Sequence, residues 1–109
     1  MKTFAITSCA FLVVASALAG AKEQPPTFPA GESYPTVKET LLAAGWRAVP
    51  VDRAILASQV KPYGYDEMVC GAGYQAACSA NFAKAGQIIC MQLVPRGSTA
   101  VYVSTGPEC

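Results

Sequence analysis

The chain contains no histidine and no tryptophan beyond Trp46, only 14% of its residues are charged, and nowhere do lysines and arginines run together. Each shortage closes a class of function. Without histidine, Ser-His-Asp and Cys-His arrangements are excluded, and the side chain that most often serves as general base near neutral pH is missing. Without a basic run, nucleic acid and anionic membrane surfaces find no electrostatic footprint. No Walker loop is present, and Gly71-Ala72-Gly73 is too short for a phosphate fingerprint. The cysteines are too spread for a zinc site, and the eight-residue offset from Cys70 to Cys78 lacks the Cys-x-x-Cys geometry of a redox pair. We therefore expect neither metal nor cofactor.

Long apolar runs are absent after the first twenty-one residues, and those twenty-one have a distinct layout. Lys2 supplies a positive start, residues 4–18 are apolar with small residues interspersed, and Ala17-Leu18-Ala19 and Ala19-Gly20-Ala21 offer small-residue cleavage sites. This is the three-part pattern of a secretory signal peptide, with the cut expected after Ala21. A permanent anchor is the alternative, but residues 4–21 barely suffice to span a bilayer and include Thr7, Ser8 and Ser16. Leu18-Ala19-Gly20 opens like a lipoprotein signal, yet Ala21 stands where that signal needs cysteine, and Cys9 lies deep in the apolar run. The expected product is exported to the periplasm or the medium, soluble and without a lipid anchor.

Cleavage changes the balance of what remains. Lys2 is the one charged residue removed, so seven cations face seven carboxylates and the net charge is zero. Five cysteines become four: Cys70, Cys78, Cys90 and Cys109. An even count in a short exported chain reads as two disulfides, and a domain this small buries too little surface to be comfortable without them. The glycines between Cys70 and Cys78 let the chain fold back within bridging range. That favours Cys70–Cys78 with Cys90–Cys109, among the three connectivities that four cysteines allow.

The coarse organisation comes from periodicity and turn residues. Residues 22–32, with three prolines, read as a flexible leader; an extended arm packed through Phe28 is the alternative. Residues 33–45 read as a helix, with Pro35 in the first turn or a Thr36-x-x-Glu39 capping box, Val37, Leu41 and Ala44 on one face, Leu42 flanking it, and Gly45 as a left-handed stop. Trp46 starts a short extended run and is expected to pack over the helix end. Residues 52–60 suggest a short helix capped by Asp52, or a loop, and residues 61–73 a loop. Residues 79–83, 88–94 and 99–105 read as strands, separated by turns at 84–87 and 95–98. The expected domain, residues 33–109, is α+β: one N-terminal helix packed on a three- to four-stranded antiparallel sheet.

One stretch carries a resemblance. Glu67-Met-Val-Cys70-Gly-Ala-Gly73-Tyr-Gln-Ala-Ala-Cys78-Ser-Ala-Asn-Phe82, together with the Gly45-Trp46 helix end and the terminal Cys109, resembles a pattern of small exported bacterial proteins of unassigned function. The resemblance spans residues 34 to 109. It implies location and stapling, and no activity. The family loop begins Cys-Ser-Gly-Thr-Gly, whereas here it is Cys70-Gly-Ala-Gly73, one residue shorter and without hydroxyls.

Two groups remain as candidate sites. Tyr63, Tyr65 and Tyr74 flank the stapled loop near Lys61 and Asp66. Tyrosine combines contact area with a hydrogen-bonding tip, so the three form a candidate binding patch, or else shield the Cys70–Cys78 bridge. Asp66 and Glu67 are the best carboxylates for a hydrolase of cell-wall or glycan substrates, but adjacent residues on an extended segment point apart, and glycan cleavage needs two carboxylates facing across a bond. The expectation is a non-enzymatic binding or structural module, an inhibitor of an extracellular hydrolase among its forms, whose partner is an extracytoplasmic protein.

Overall fold

The computed structural model describes residues 22–55, 60–71 and 76–109, so residues 1–21, expected as a signal peptide, and Tyr74 lie outside the described residues. Among the described residues one helix, α1 (Tyr34–Ala43), is followed by five strands: β1 (Arg47–Ala48), β2 (Met68–Cys70), β3 (Cys78–Lys84), β4 (Gln87–Arg96) and β5 (Thr99–Pro107). All of these strand pairs are antiparallel. The sheet has four columns, because β1 and β2 share one edge of β3. Arg47 and Ala48 pair with Ala83 and Phe82, and Val49 donates to the Asn81 carbonyl. The chain then leaves, and β2 returns to pair Met68, Val69 and Cys70 with Ala80, Ser79 and Cys78.

The helix begins where Pro35 can stand without losing a useful N–H, and Thr36 lies inside it rather than capping it. It ends in a Schellman arrangement: Trp46 N donates to Leu41 O and Gly45 N to Leu42 O, with Gly45 at a φ of +93°. A Cβ at Gly45 would also meet Lys84 Cε at 3.2 Å. The Lys84 ammonium is placed to help, donating to the Ala44 carbonyl at 2.8 Å, where a cation suits the negative helix end. Val37, Leu41 and Tyr34 are fully buried against Trp46, Met68, Phe82, Met91 and Leu93, while Leu42 is left in solvent. The helix therefore covers one face of the sheet, as its spacing predicts.

The β3–β4 hairpin turns through Ala85 and Gly86, both at positive φ, the backbone that two-residue hairpins require. β5 carries one bulge opposite Gln92 and Leu93. Both expected staples are present. Cys70 and Cys78 are directly opposed across β2 and β3, with Cα atoms 3.9 Å apart. Cys109 reaches back from beyond β5 to Cys90 on β4, and its N–H meets the Asn81 side chain on β3, so the terminus straps three columns together.

Two segments depart from the sequence reading. Residues 61–73, expected as loop, contain β2, because pairing with β3 decides the conformation of three residues whose own pattern is too short to announce it. The leader makes the contacts of the packed arm: Phe28 lies 5.3 Å from the Tyr102 ring, Gly31 and Glu32 exchange backbone hydrogen bonds with Tyr102, and Glu23 pairs with Lys84 at 3.2 Å. Asp52 does cap a short 3-10 turn, Arg53–Ile55, its carboxylate accepting from Ala54 N.

Candidate functional site

The loop over residues 60–66 is built from the main chain outward. Pro62–Gly64 form a single 3-10 turn, with Gly64 N donating to Lys61 O and Tyr65 N to Pro62 O. Tyr63 sits at its apex at a φ of +55°, and Gly64 follows at +83°. Left-handed backbone is uncommon for a bulky residue and costs on the order of 1 kcal/mol, so surrounding contacts must hold it. Those contacts come from Arg53. Its guanidinium donates to Val60 O at 3.0 Å, Tyr65 O at 3.1 Å, Asp66 O at 3.1 Å and Met68 O at 2.8 Å. Across the loop mouth Lys61 Nζ pairs with Asp66 at 2.7 Å. The result leaves Tyr63 41% exposed on a turn whose two feet are both tied.

Arg53 carries the loop, so its loss has a local signature. Hydrogen bonds to charged donors contribute about 1.5–3 kcal/mol, and Arg53→Ala is expected to raise amide exchange of Gly64 and Tyr65 by at least about tenfold. Hydrogen-exchange mass spectrometry or NMR reads this. Unchanged exchange at both amides would mean the loop holds itself.

Behind the loop lies a buried polar cluster. Glu67, only 4% exposed, accepts a 2.6 Å hydrogen bond from the Tyr34 hydroxyl and pairs with Lys38 Nζ at 3.0 Å. Tyr34 meets Tyr65 edge-on, ring centres 4.7 Å apart, and the Lys38 ammonium lies 4.9 Å over the Tyr65 ring. Burial, and then the bond to Glu67, push the Tyr34 phenol well above its ordinary range, so it stays a neutral donor. Asp66 is the opposite case. The hydrogen bond and charge of Lys61 hold its carboxyl below the usual range. A lowered carboxyl pKa means that the pair's contribution is present above the unfolded value and is lost as pH falls through the folded one. Both partners are more than half exposed, so that contribution is small. Lys61→Gln is expected to move the Asp66 titration midpoint upward, toward that of a free carboxylate. An NMR titration of the side-chain carboxyl carbon checks it, and a midpoint that stays put would show that Lys61 is not the cause.

Of the two candidate tyrosines among the described residues, Tyr63 is the more exposed. Tyr65 is half-buried against Tyr34 and under Lys38, and Tyr74 lies outside the described residues. Asp66 and Glu67 do not converge: one faces solvent beside Lys61, the other turns inward to the helix. Among the described residues, no group of three His, Cys, Asp or Glu side chains gathers as a metal site would need, and no helix is long and apolar enough to cross a membrane. Sequence reasoning overlooked Arg53 and Lys38. Comparison with known proteins finds no matching family model, no matching curated protein and no matching solved structure.

Proposed function

We propose that this chain is an exported, disulfide-held binding module whose contact element is the loop at residues 60–66, and that it acts by occluding an extracellular hydrolase. One observation carries the reading. Tyr63 is exposed, in an unfavourable backbone conformation, on a loop that the two terminal nitrogens of Arg53 tie through the carbonyls of Val60, Tyr65, Asp66 and Met68, while the buried Arg53 Nε has no hydrogen-bond partner among the described residues. Strain that surrounding structure maintains is commonest at functional positions, and a pre-ordered loop loses little entropy on binding. Two left-handed residues in succession cannot lie as an extended strand in a peptidase cleft, so the loop is offered as a side-chain plug rather than as a substrate mimic. The signal-like first twenty-one residues and the paired cysteines support an oxidising compartment.

The test uses the oxidised protein purified from an exporting host. Its intact mass is expected to correspond to a chain beginning at Lys22 with no free thiol; a full-length product or four alkylatable cysteines would overturn the export reading. As immobilised bait in an extracytoplasmic extract, the parent is expected to retain a hydrolase and suppress its activity, and Tyr63→Ala to lose it. An identical catch with both baits would rule the loop out as the contact element.

A further inference from the structure

The segment at residues 22–32 is held at two places, and the earlier one lies on the second residue after the expected cut. Near α1 the segment joins β5: Gly31 N donates to Tyr102 O at 2.9 Å, Tyr102 N donates to Glu32 O at 2.8 Å, and Phe28 packs on the Tyr102 ring. At its start it is gripped by the mouth of the β3–β4 hairpin. Lys84 and Gln87 are the opposed pair that closes this turn, so their side chains leave the sheet on one face. Both reach Glu23. Glu23 N donates to Gln87 Oε1 at 3.2 Å, Gln87 Nε2 donates back to Glu23 O at 3.2 Å, and the Lys84 ammonium pairs with the Glu23 carboxylate at 3.2 Å. Lys84 is itself fixed by its 2.8 Å bond to Ala44 O, so part of the grip is ordered by the helix end and not by the segment it holds.

We propose that Gln87 and Lys84 form a latch that closes on the processed chain and withholds its new N-terminus from peptidases. This rests on the cut after Ala21. A peptidase seats the residues beside its scissile bond through their main chain, much as a sheet edge takes an added strand. Glu23 offers one N–H and one C=O, and Gln87 engages both. Reach sets the order of events. From Ala21 to Glu23 the chain spans at most about 7 Å, less than the width of a single helix at about 10 Å. An enzyme cannot close around the bond after Ala21 with Glu23 on the sheet, so cleavage comes first and docking second. Further along, the sequence supplies its own protection. Pro25 and Pro26 lack the N–H and fix φ, which stalls stepwise trimming at Gln24. Lys22 and Glu23 are what the prolines leave open, and the latch covers that stretch.

The test takes the oxidised protein purified from the exporting host and follows its intact mass during incubation with a broad-specificity aminopeptidase. A synthetic peptide of residues 22–33 gives the unprotected rate. The parent is expected to lose Lys22 at least about tenfold more slowly than the peptide, because trimming waits for the latch to open. Gln87→Ala is expected to bring the rate to within about threefold of the peptide. Gln87→Glu keeps the side-chain stem, removes the donor and faces Glu23 with a like charge; it is expected to trim as fast as Gln87→Ala, so a fold defect in the alanine variant does not decide the result. Gln92→Ala, at an exposed glutamine further along β4, is expected to trim as the parent does. A parent trimmed at the peptide's rate, Gln87 variants as slow as the parent, or equal acceleration by Gln92→Ala overturns the latch and leaves the cut after Ala21 standing. A purified chain that begins elsewhere than at Lys22 overturns the cut and the latch together.

Discussion

Glu67→Ala is expected to destabilise the domain by about 3 kcal/mol, the range found when one partner of a buried ion pair is removed. The change strands the Tyr34 hydroxyl in a fully buried position and leaves Lys38 without its carboxylate. It also removes the hydrogen bond and ion pair by which the residue just before β2 is tied to Tyr34 and Lys38, leaving the Tyr65 ring contacts with both. In a domain of this size the corresponding drop in melting temperature is roughly 12–24 °C. Glu67→Gln separates the two contributions. An amide keeps an acceptor for Tyr34 and removes the charge opposite Lys38, whose ammonium is partly hydrated, so the expected loss is only about 1 kcal/mol. Thermal unfolding observed by circular dichroism decides between them. If Glu67→Ala melts within about 3 °C of the parent, the cluster is not what joins helix to sheet.

Removal of the Cys90–Cys109 bridge by a double change to serine is expected to have an effect of similar size. Chain-entropy reasoning gives roughly 3 kcal/mol for the longer closed loop and roughly 2.5 kcal/mol for the Cys70–Cys78 loop. Against a total stability of about 5 kcal/mol for so small a domain, either loss moves the urea midpoint to about half its original value or below. The local signatures of the two losses are expected to differ. Loss of Cys90–Cys109 frees the strap that crosses from β5 to Asn81, so the Cys109 N–H loses its protection. Loss of Cys70–Cys78 leaves β2 held by only three residue pairs with β3 and by the buried Met68 and Glu67. A double variant with the parent's urea midpoint would mean that bridge constrains nothing the fold has not already ordered.

The elements legible in the sequence were those with local signals. Pro35 in the first turn and Gly45 just past the end mark a ten-residue helix with apolar side chains on one face, and the three final strands alternate between turn residues. The opposed pair Cys70 and Cys78 was legible because the glycine-rich segment between them only makes sense as a reversal. β2 was not legible, since a three-residue strand has no period to detect, and its neighbour Glu67 looks like a solvated charge until its partners are known. Those partners, Tyr34 and Lys38, stand some thirty residues earlier in the chain. Tyr63 was legible as a candidate by type, but its display was not, because Arg53 sets the loop from outside it.

Composition and periodicity alone determined the absence of histidine chemistry, the helix and its stop, the meander and the four cysteines that follow residue 21, because each depends on residue counts or on residues close together in the chain. Tertiary contact alone decided that β1 and β2 divide one edge of β3, that Glu67 is buried against the helix, and that Arg53 pins the loop beneath Tyr63. In each of these the conformation of a short segment is fixed by groups distant in sequence, whose hydrogen bonds and charges outweigh anything the segment prefers by itself.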